Sequence, residues 1–117
     1  MTSGRILVVV ERAHRGTLEE QYAHVLWLVR TLRRLSALTL LLRGTAAVYA
    51  IDRVPDPHDD YRTTMLSLAR QDTELLVSVT SLGELGLGEC PLLPGVQALS
   101  DREVIAQWAA HDRIWFL

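Results

Sequence analysis

The sequence predicts a three-layer α/β/α sandwich around a mostly parallel five-stranded sheet. Strand-like apolar segments alternate with helix-like segments along the chain, an order typical of βαβ units. Arg5–Val10 and Ala37–Leu42 are largely unbroken apolar runs rather than alternating ones, as expected of strands covered on both faces. With 117 residues, short connections and no internal repeat, the chain is predicted to form a single domain over residues 1–117.

The first helix is predicted from Thr17 to about Leu35. A capping box begins at Thr17, whose side chain caps the amide of Glu20 while the Glu20 side chain reaches back. Apolar residues recur from Leu18 to Leu32 at the spacing of one helix face, which predicts an amphipathic helix packed on the sheet.

The middle of the chain is predicted to contain a short helix, a loop and a second longer helix. Thr45–Ile51 is apolar and follows the end of the second strand at Arg43 and Gly44, so it is assigned to a short helix. Arg53–Asp60 is predicted to be a loop, because its prolines and aspartates cannot continue a helix or a strand. Tyr61–Arg70 then has apolar residues at helical spacing.

The C-terminal part of the chain is predicted to supply three strands and a last helix. The strands are Leu75–Val79, Val96–Leu99 and Arg113–Leu117. The glycine-rich stretch Ser81–Gly88 between the first two is predicted to be a flexible or tightly turning loop, because its spacing is not the G-x-G-x-x-G of nucleotide-binding loops and no helix clearly starts there. Ser100 is expected to cap the last helix, with Glu103 at its third position.

Composition excludes several classes of protein. The chain is 49% hydrophobic with a formal net charge of -2, which argues against a disordered chain and against a basic nucleic-acid-binding module. It contains no lysine or asparagine, so a P-loop lysine, a Schiff-base lysine and N-glycosylation are excluded. No cofactor motif, signal peptide or membrane span is recognisable, so neither a cofactor nor a membrane partner is expected.

Cys90 is the single cysteine and the only possible thiol nucleophile. A lone cysteine excludes an intrachain disulfide and a multi-cysteine zinc site, and it favours a reducing, cytoplasmic location. Pro91 holds Cys90 in an extended conformation, and the charge of Glu89 disfavours the thiolate. An inert, partly buried cysteine is therefore the favoured interpretation, and a catalytic Cys90 is the alternative.

The remaining candidates for metal binding or acid–base chemistry are interpreted as structural. His58, Asp59 and Asp60 are adjacent in the chain, and three adjacent loop residues rarely converge on one ion without another ligand. They are therefore interpreted as a solvated turn, and no metal site is predicted. His24 falls inside the first predicted helix and His111 near the end of the last, where both are expected to be structural.

The candidate ligand site follows from the sheet, because parallel α/β sheets bind ligands at the carboxyl ends of their strands. The segments that follow predicted strands are Glu11–Gly16, Arg43 and Gly44, Thr80 and Ser81, and Ser100 and Asp101. The amino end of the first predicted helix also offers free backbone amides and a helix dipole, both of which attract an anion. The ligand-binding candidates are His14, Arg15, Gly16, Thr17, Arg43, Thr80 and Ser81. The alternative is that the His14–Thr17 segment is only a capped helix behind a solvated loop.

The segments Leu40–Val48, Pro91–Leu99 and Val104–Leu117, in this order along the chain, resemble the DsrE/DsrF family of small sulfur-relay proteins, in particular its short YchN-type members. Pro91–Leu99 is similar to the family's P-L-x-x-G-V segment. Val104–Leu117 is similar to its apolar helix and final strand, and Leu40–Val48 to its L-x-x-x-A-V segment. The order and spacing of these segments carry the resemblance, which spans nearly the whole chain and implies a DsrE/F-like fold.

The resemblance also has implications for function. Family members that transfer sulfur carry a cysteine after the third strand, and the matching positions here are Ser78 and Ser81. A serine is not ionised near neutral pH and cannot hold a sulfane sulfur, so the family's persulfide carrier is expected to be absent. Cysteine-free subunits of the family build rings, which implies a homo-oligomer, trimer or hexamer, or a hetero-oligomer with related subunits.

Three hypotheses for function remain open. The first is a non-catalytic, oligomeric scaffold or binding subunit, with Trp108 and Trp115 available for an interface. The second is a sulfurtransferase in which Cys90 carries the sulfur in place of the family's cysteine. The third is a small-anion or nucleotide binder that uses His14, Arg15 and Arg43.

Overall fold

The computed structural model describes residues 5–11, 37–52, 66 and 73–116. The predicted helix over residues 17–35, the loop over 53–60 and, apart from the helical Leu66, the predicted helix over 61–70 lie outside the described residues. Several residues singled out above also lie outside them, namely His14, Arg15, Gly16, Thr17, His24, His58, Asp59 and Asp60.

The described residues form a five-stranded, fully parallel sheet. Its strands are β1 (Arg5–Val10), β2 (Ala37–Leu42), β3 (Glu74–Ser78), β4 (Val96–Leu99) and β5 (Arg113–Phe116). Their spatial order is β4-β3-β2-β1-β5, and every neighbouring pair is parallel. The predicted α/β class with a parallel five-stranded sheet is therefore confirmed.

A helical segment follows each of the strands β2, β3 and β4. A 3-10 helix, η1 (Gly44–Ala50), follows β2, a short helix α1 (Val79–Glu84) follows β3, and α2 (Asp101–Ala110) follows β4. None of the described helices is long and apolar enough to cross a membrane.

The prediction of a loop directly after β3 is wrong, because α1 begins there. The Ser78 side chain accepts a hydrogen bond from the backbone N–H of Ser81 at 3.1 Å, which caps the helix. The glycine-rich stretch turns only after α1, where Gly86 has a φ of 72°.

The sheet has two apolar faces with different coverings. One face buries Val8 and Val10 against η1 and against Leu82 of α1. The opposite face buries Leu7 and Val9 in a cluster with Val104 of α2. The change of face follows from the topology: the chain winds from β1 to β4 in one direction and then returns past β1 to β5, and right-handed crossovers reverse their face with direction.

His111 fastens the end of α2 to the sheet. Its ring is buried, with Nδ1 2.8 Å from the Gln107 carbonyl oxygen and Nε2 3.0 Å from Thr39 Oγ1. Because a carbonyl oxygen can only accept, Nδ1 is the donor of the first bond. These contacts agree with the structural role predicted for this histidine.

Candidate functional site

A cleft of about 280 Å³ opens at the carboxyl ends of β1, β2 and β3. Glu11 follows β1, and Arg43 and Gly44 follow β2. The other lining residues are Ser78, Thr80, Ser81, Glu84 and Asp101, which come from the end of β3, from α1 and from the first residue of α2. This is the edge of the sheet at which the sequence predicts a ligand site.

The floor of the cleft is held together by two serine hydroxyls. The Gly44 backbone N–H donates to Ser81 Oγ at 2.9 Å, and the Ser81 backbone N–H donates to Ser78 Oγ at 3.1 Å. Both side chains are almost fully buried, with 3% of Ser78 and 7% of Ser81 exposed. The ends of β2 and β3 are thereby tied to the start of α1.

Gly44 allows the backbones after β1 and β2 to approach closely. Its φ of 54° lies in the left-handed region, and a Cβ built on it would lie 2.5 Å from the backbone oxygen of Glu11. Only glycine fits both restrictions without strain. The separation of the two strand ends at the cleft therefore depends on this residue.

Arg43 is held between a carboxylate and an aromatic ring. Its Nη1 lies 3.6 Å from Glu11 Oε1, and its Cζ lies 5.7 Å from the centroid of the Trp108 ring. Ion pairs this exposed contribute little to stability, and a cation–π contact adds a similarly modest amount. Their effect is to restrict where the guanidinium can point at the mouth of the cleft.

The wall of the cleft nearest α2 is polar and well capped. The Thr80 hydroxyl donates to Asp101 Oδ1 at 2.7 Å. Ser100, the residue before Asp101, forms the predicted capping box with Glu103. The Ser100 backbone N–H donates to Glu103 Oε1 at 3.1 Å, and the Glu103 backbone N–H donates to Ser100 Oγ at 3.3 Å. The backbone hydrogen bond from Ser100, together with the side-chain one, lowers the pKa of Glu103.

The structure brings three of the predicted ligand-binding residues together and separates one predicted catalytic residue from them. Arg43, Thr80 and Ser81 all line the cleft. Cys90 does not belong to the described lining: it lies on the loop after α1 and packs, half-buried, against the core face that η1 covers.

Backbone contacts hold the Cys90 loop beside η1. The Asp52 N–H donates to the Pro91 carbonyl at 2.9 Å, and the Leu93 N–H donates to the Ala50 carbonyl at 2.8 Å. These bonds join residues about forty positions apart. No local sequence pattern could have predicted them.

Sequence reasoning missed two contributors to the site. Glu84 enters the cleft because α1, not a loop, follows β3. The helical spacing places Trp108 on the buried side of the last helix, and its contact with Arg43 cannot be read from spacing alone. Among the described residues, no group of three or more histidine, cysteine, aspartate and glutamate side chains could hold a metal ion.

The sequence matches no protein-family model and no curated protein. Its structure does match solved structures. The YchN protein from E. coli superposes with a TM-score of 0.77 at 19% sequence identity, covering 97% of this chain and 99% of that one. The chain has the YchN-type fold. A protein of unknown function from Methanobacterium thermoautotrophicum superposes with a TM-score of 0.69 at 18% identity, covering 96% of this chain and 98% of that one.

This likeness agrees with the DsrE/F-like fold implied by the sequence resemblance. Both superpositions cover nearly the full length of each partner.

Proposed function

We propose that the protein is a non-catalytic, DsrE/F-like subunit that assembles with other chains and binds a ligand or partner without carrying sulfur. The observation that carries this proposal is the hydrogen bonding and burial of Ser78 and Ser81. Both hydroxyl oxygens accept backbone hydrogen bonds and both side chains are buried, so each has a structural task at the cleft floor.

The chemistry of a hydroxyl supports the proposal. Sulfur relay requires a thiolate that attacks a sulfane sulfur and then holds it as a persulfide. A serine hydroxyl stays protonated at neutral pH and has no sulfur–sulfur bond to form. No histidine or lysine lies among the described lining residues to act as its general base.

Cys90 remains the alternative sulfur carrier. Its backbone N–H bonds to the Leu87 carbonyl at 3.1 Å within a loop that is itself bonded to η1. To transfer sulfur at the cleft, the Cys90 thiol would have to move there, and the loop would have to break these backbone hydrogen bonds. Cys90 could otherwise act only at its own half-exposed surface, which is why we rank this function second.

An assembly role is supported by apolar side chains that remain exposed. Phe116 is 61% exposed and Trp115 41% exposed on β5, an edge strand of the sheet, and Ile105 is 64% exposed on α2. Two of the four residues of this edge strand are large, exposed apolar side chains, and its single charged residue, Arg113, stands at its first position. We expect the β5 edge to be covered in an oligomer.

Sulfur transfer tests the non-catalytic part of the proposal. The full chain is incubated with a persulfide donor, separated from it, and then offered a thiol acceptor, with intact mass spectrometry at each step. We expect no sulfur to pass to the acceptor. Transfer by the wild-type chain that is lost in Cys90→Ser would refute the proposal and establish the alternative.

Sedimentation velocity at micromolar concentration tests the assembly part. We expect a trimer or hexamer of this chain, and a strict monomer at this concentration would refute the homo-oligomer. Phe116→Ser should shift a homo-oligomer towards smaller species, whereas Val79→Ser, a change at an exposed apolar side chain away from β5, should not. Equal shifts in both variants would contradict the role of the β5 edge.

A further inference from the structure

We propose that the cleft binds a small zwitterion of the amino-acid type, with its carboxylate on the serine floor beside Arg43 and its ammonium among the carboxylates of the rim. This inference rests on the proposed binding role of the cleft and adds the chemical class of the ligand. It is carried by the hydrogen-bonding state of two buried serines and by the charge distribution around them.

The cleft floor offers two unused hydrogen-bond donors. Ser78 Oγ and Ser81 Oγ each accept a backbone N–H, and neither hydroxyl hydrogen has an acceptor among the described residues. A serine hydroxyl supplies one donor in addition to its acceptor sites. Ser78 is only 3% exposed and Ser81 only 7% exposed, so water has little access to either hydroxyl except through the cleft. An acceptor group of a ligand would satisfy both donors.

Arg43 adds a positive charge with donors to spare. Its contact with Glu11 is 3.6 Å long, beyond the length of a proper hydrogen bond. Its contact with Trp108, with Cζ 5.7 Å from the ring centroid, is a cation–π contact and not a hydrogen bond to an acceptor atom. A guanidinium carries five N–H donors in a planar fork that suits a carboxylate. Arg43 and the serine hydroxyls thus favour an anionic acceptor at the floor.

The rim favours the opposite charge. Glu11, Glu84 and Asp101 line the same cleft, so the described lining has three carboxylates and one guanidinium. Asp101 uses Oδ1 to accept from Thr80, which leaves Oδ2 for a ligand. A simple anion would meet this excess of negative charge unfavourably. A ligand that carries an ammonium beside its carboxylate matches both parts of the site.

The size of the cleft limits the ligand further. About 280 Å³ lies just below the range of pockets that take drug-sized molecules. An amino acid places an ammonium and a carboxylate on one carbon, and it fits such a volume. A nucleotide is larger and carries several negative charges that the three carboxylates disfavour.

Calorimetric titration of the full chain with each of the twenty standard L-amino acids tests the proposal. The amino acid that binds best is then compared with its des-amino acid and with its decarboxylated amine. We expect each analogue to bind at least about tenfold more weakly, as is typical when one charged hydrogen-bonded group is lost.

Variants locate the site. Arg43→Gln should weaken binding about tenfold or more, while its control Arg102→Gln, an exposed arginine of α2 outside the lining, should leave it unchanged. Glu84→Gln should weaken binding about two- to fivefold, and Glu89→Gln, an exposed glutamate on the next loop, should not.

Each other outcome overturns the ligand class in a recognisable way. Equal binding of the des-amino acid indicates an anion site, and equal binding of the amine indicates a cation site. Flat titrations with all twenty amino acids at millimolar concentration exclude a zwitterion. None of these results affects the sulfur-transfer assay, whereas sulfur transfer would overturn the non-catalytic role and leave the titrations standing.

Discussion

Replacement of Gly44 by alanine tests the construction of the cleft directly. A residue with a Cβ loses about 1–2 kcal/mol on adopting a left-handed conformation, and Gly44 has a φ of 54°. Its Cβ would also lie 2.5 Å from the Glu11 backbone oxygen. Moving that backbone costs about 1–3 kcal/mol further. We therefore expect Gly44→Ala to lower the free energy of unfolding by about 2–5 kcal/mol.

Two other glycines separate these contributions. Gly86 has a φ of 72°, and a Cβ at this position would have nothing within 4 Å, so Gly86→Ala should show the conformational cost alone, about 1–2 kcal/mol. Gly83 lies in α1 with an ordinary φ and open space around it. Gly83→Ala should leave stability unchanged or raise it by up to about 1 kcal/mol.

Urea unfolding followed by circular dichroism provides the measurement, with the free energy of unfolding extrapolated from the transition. The expected order of stability is Gly83→Ala, then Gly86→Ala, then Gly44→Ala. If Gly44→Ala were no less stable than Gly86→Ala, the close approach to Glu11 would have no energetic consequence, and the reasoning about the strand ends would be refuted.

Three further predictions concern the floor and α2. In a Cys90→Ser background, Ser78→Cys should take up one sulfur from a persulfide donor, because it places a thiol at one of the two positions, Ser78 and Ser81, that the sequence resemblance matches to the family's cysteine. An unchanged mass by mass spectrometry would contradict the match at Ser78. His111→Ala should lower the free energy of unfolding by about 1–3 kcal/mol, because it removes the imidazole's hydrogen bonds to the buried Thr39 hydroxyl and to the Gln107 carbonyl. An unchanged midpoint of urea unfolding would exclude this structural role. The pKa of Glu103 lies below its ordinary value of 4.5, so the stability that its carboxylate adds as a cap is present above that pH and is lost as the pH falls through the lowered pKa. Glu103→Gln should remove this part of the pH dependence of unfolding, and an unfolding free energy with the same pH dependence as the wild type would show that the carboxylate does not contribute.

The parts of the fold that could be predicted are those fixed by local sequence. The apolar runs over Arg5–Val10 and Ala37–Leu42 predict strands with the bounds that β1 and β2 have, because unbroken apolar runs of this length are buried on both faces. The capping box at Ser100 is predicted equally well, since its hydrogen bonds connect neighbours in the chain. The α1 helix escapes prediction, because Gly83 lowers helical propensity while the cap comes from the last residue of a strand.

The candidate site could be predicted only in part. The rule for parallel sheets places Arg43, Thr80 and Ser81 at one edge, and all three line the cleft. The position of Cys90 could not be predicted, because backbone bonds between its loop and the end of η1 determine it. Proximity in sequence to Ser81 suggests that the loop brings the thiol near the floor, whereas those bonds hold it beside η1.

Helix α2 joins the cleft to the core. Its first residue, Asp101, accepts a hydrogen bond from Thr80, its side chain Trp108 contacts Arg43, and the residue after it, His111, bonds to Thr39 of β2. A ligand that engages Arg43 and Asp101 would therefore meet α2 directly at Asp101 and through Arg43 at Trp108. The contacts of Asp101, Trp108 and His111 connect the cleft to the sheet through one helix.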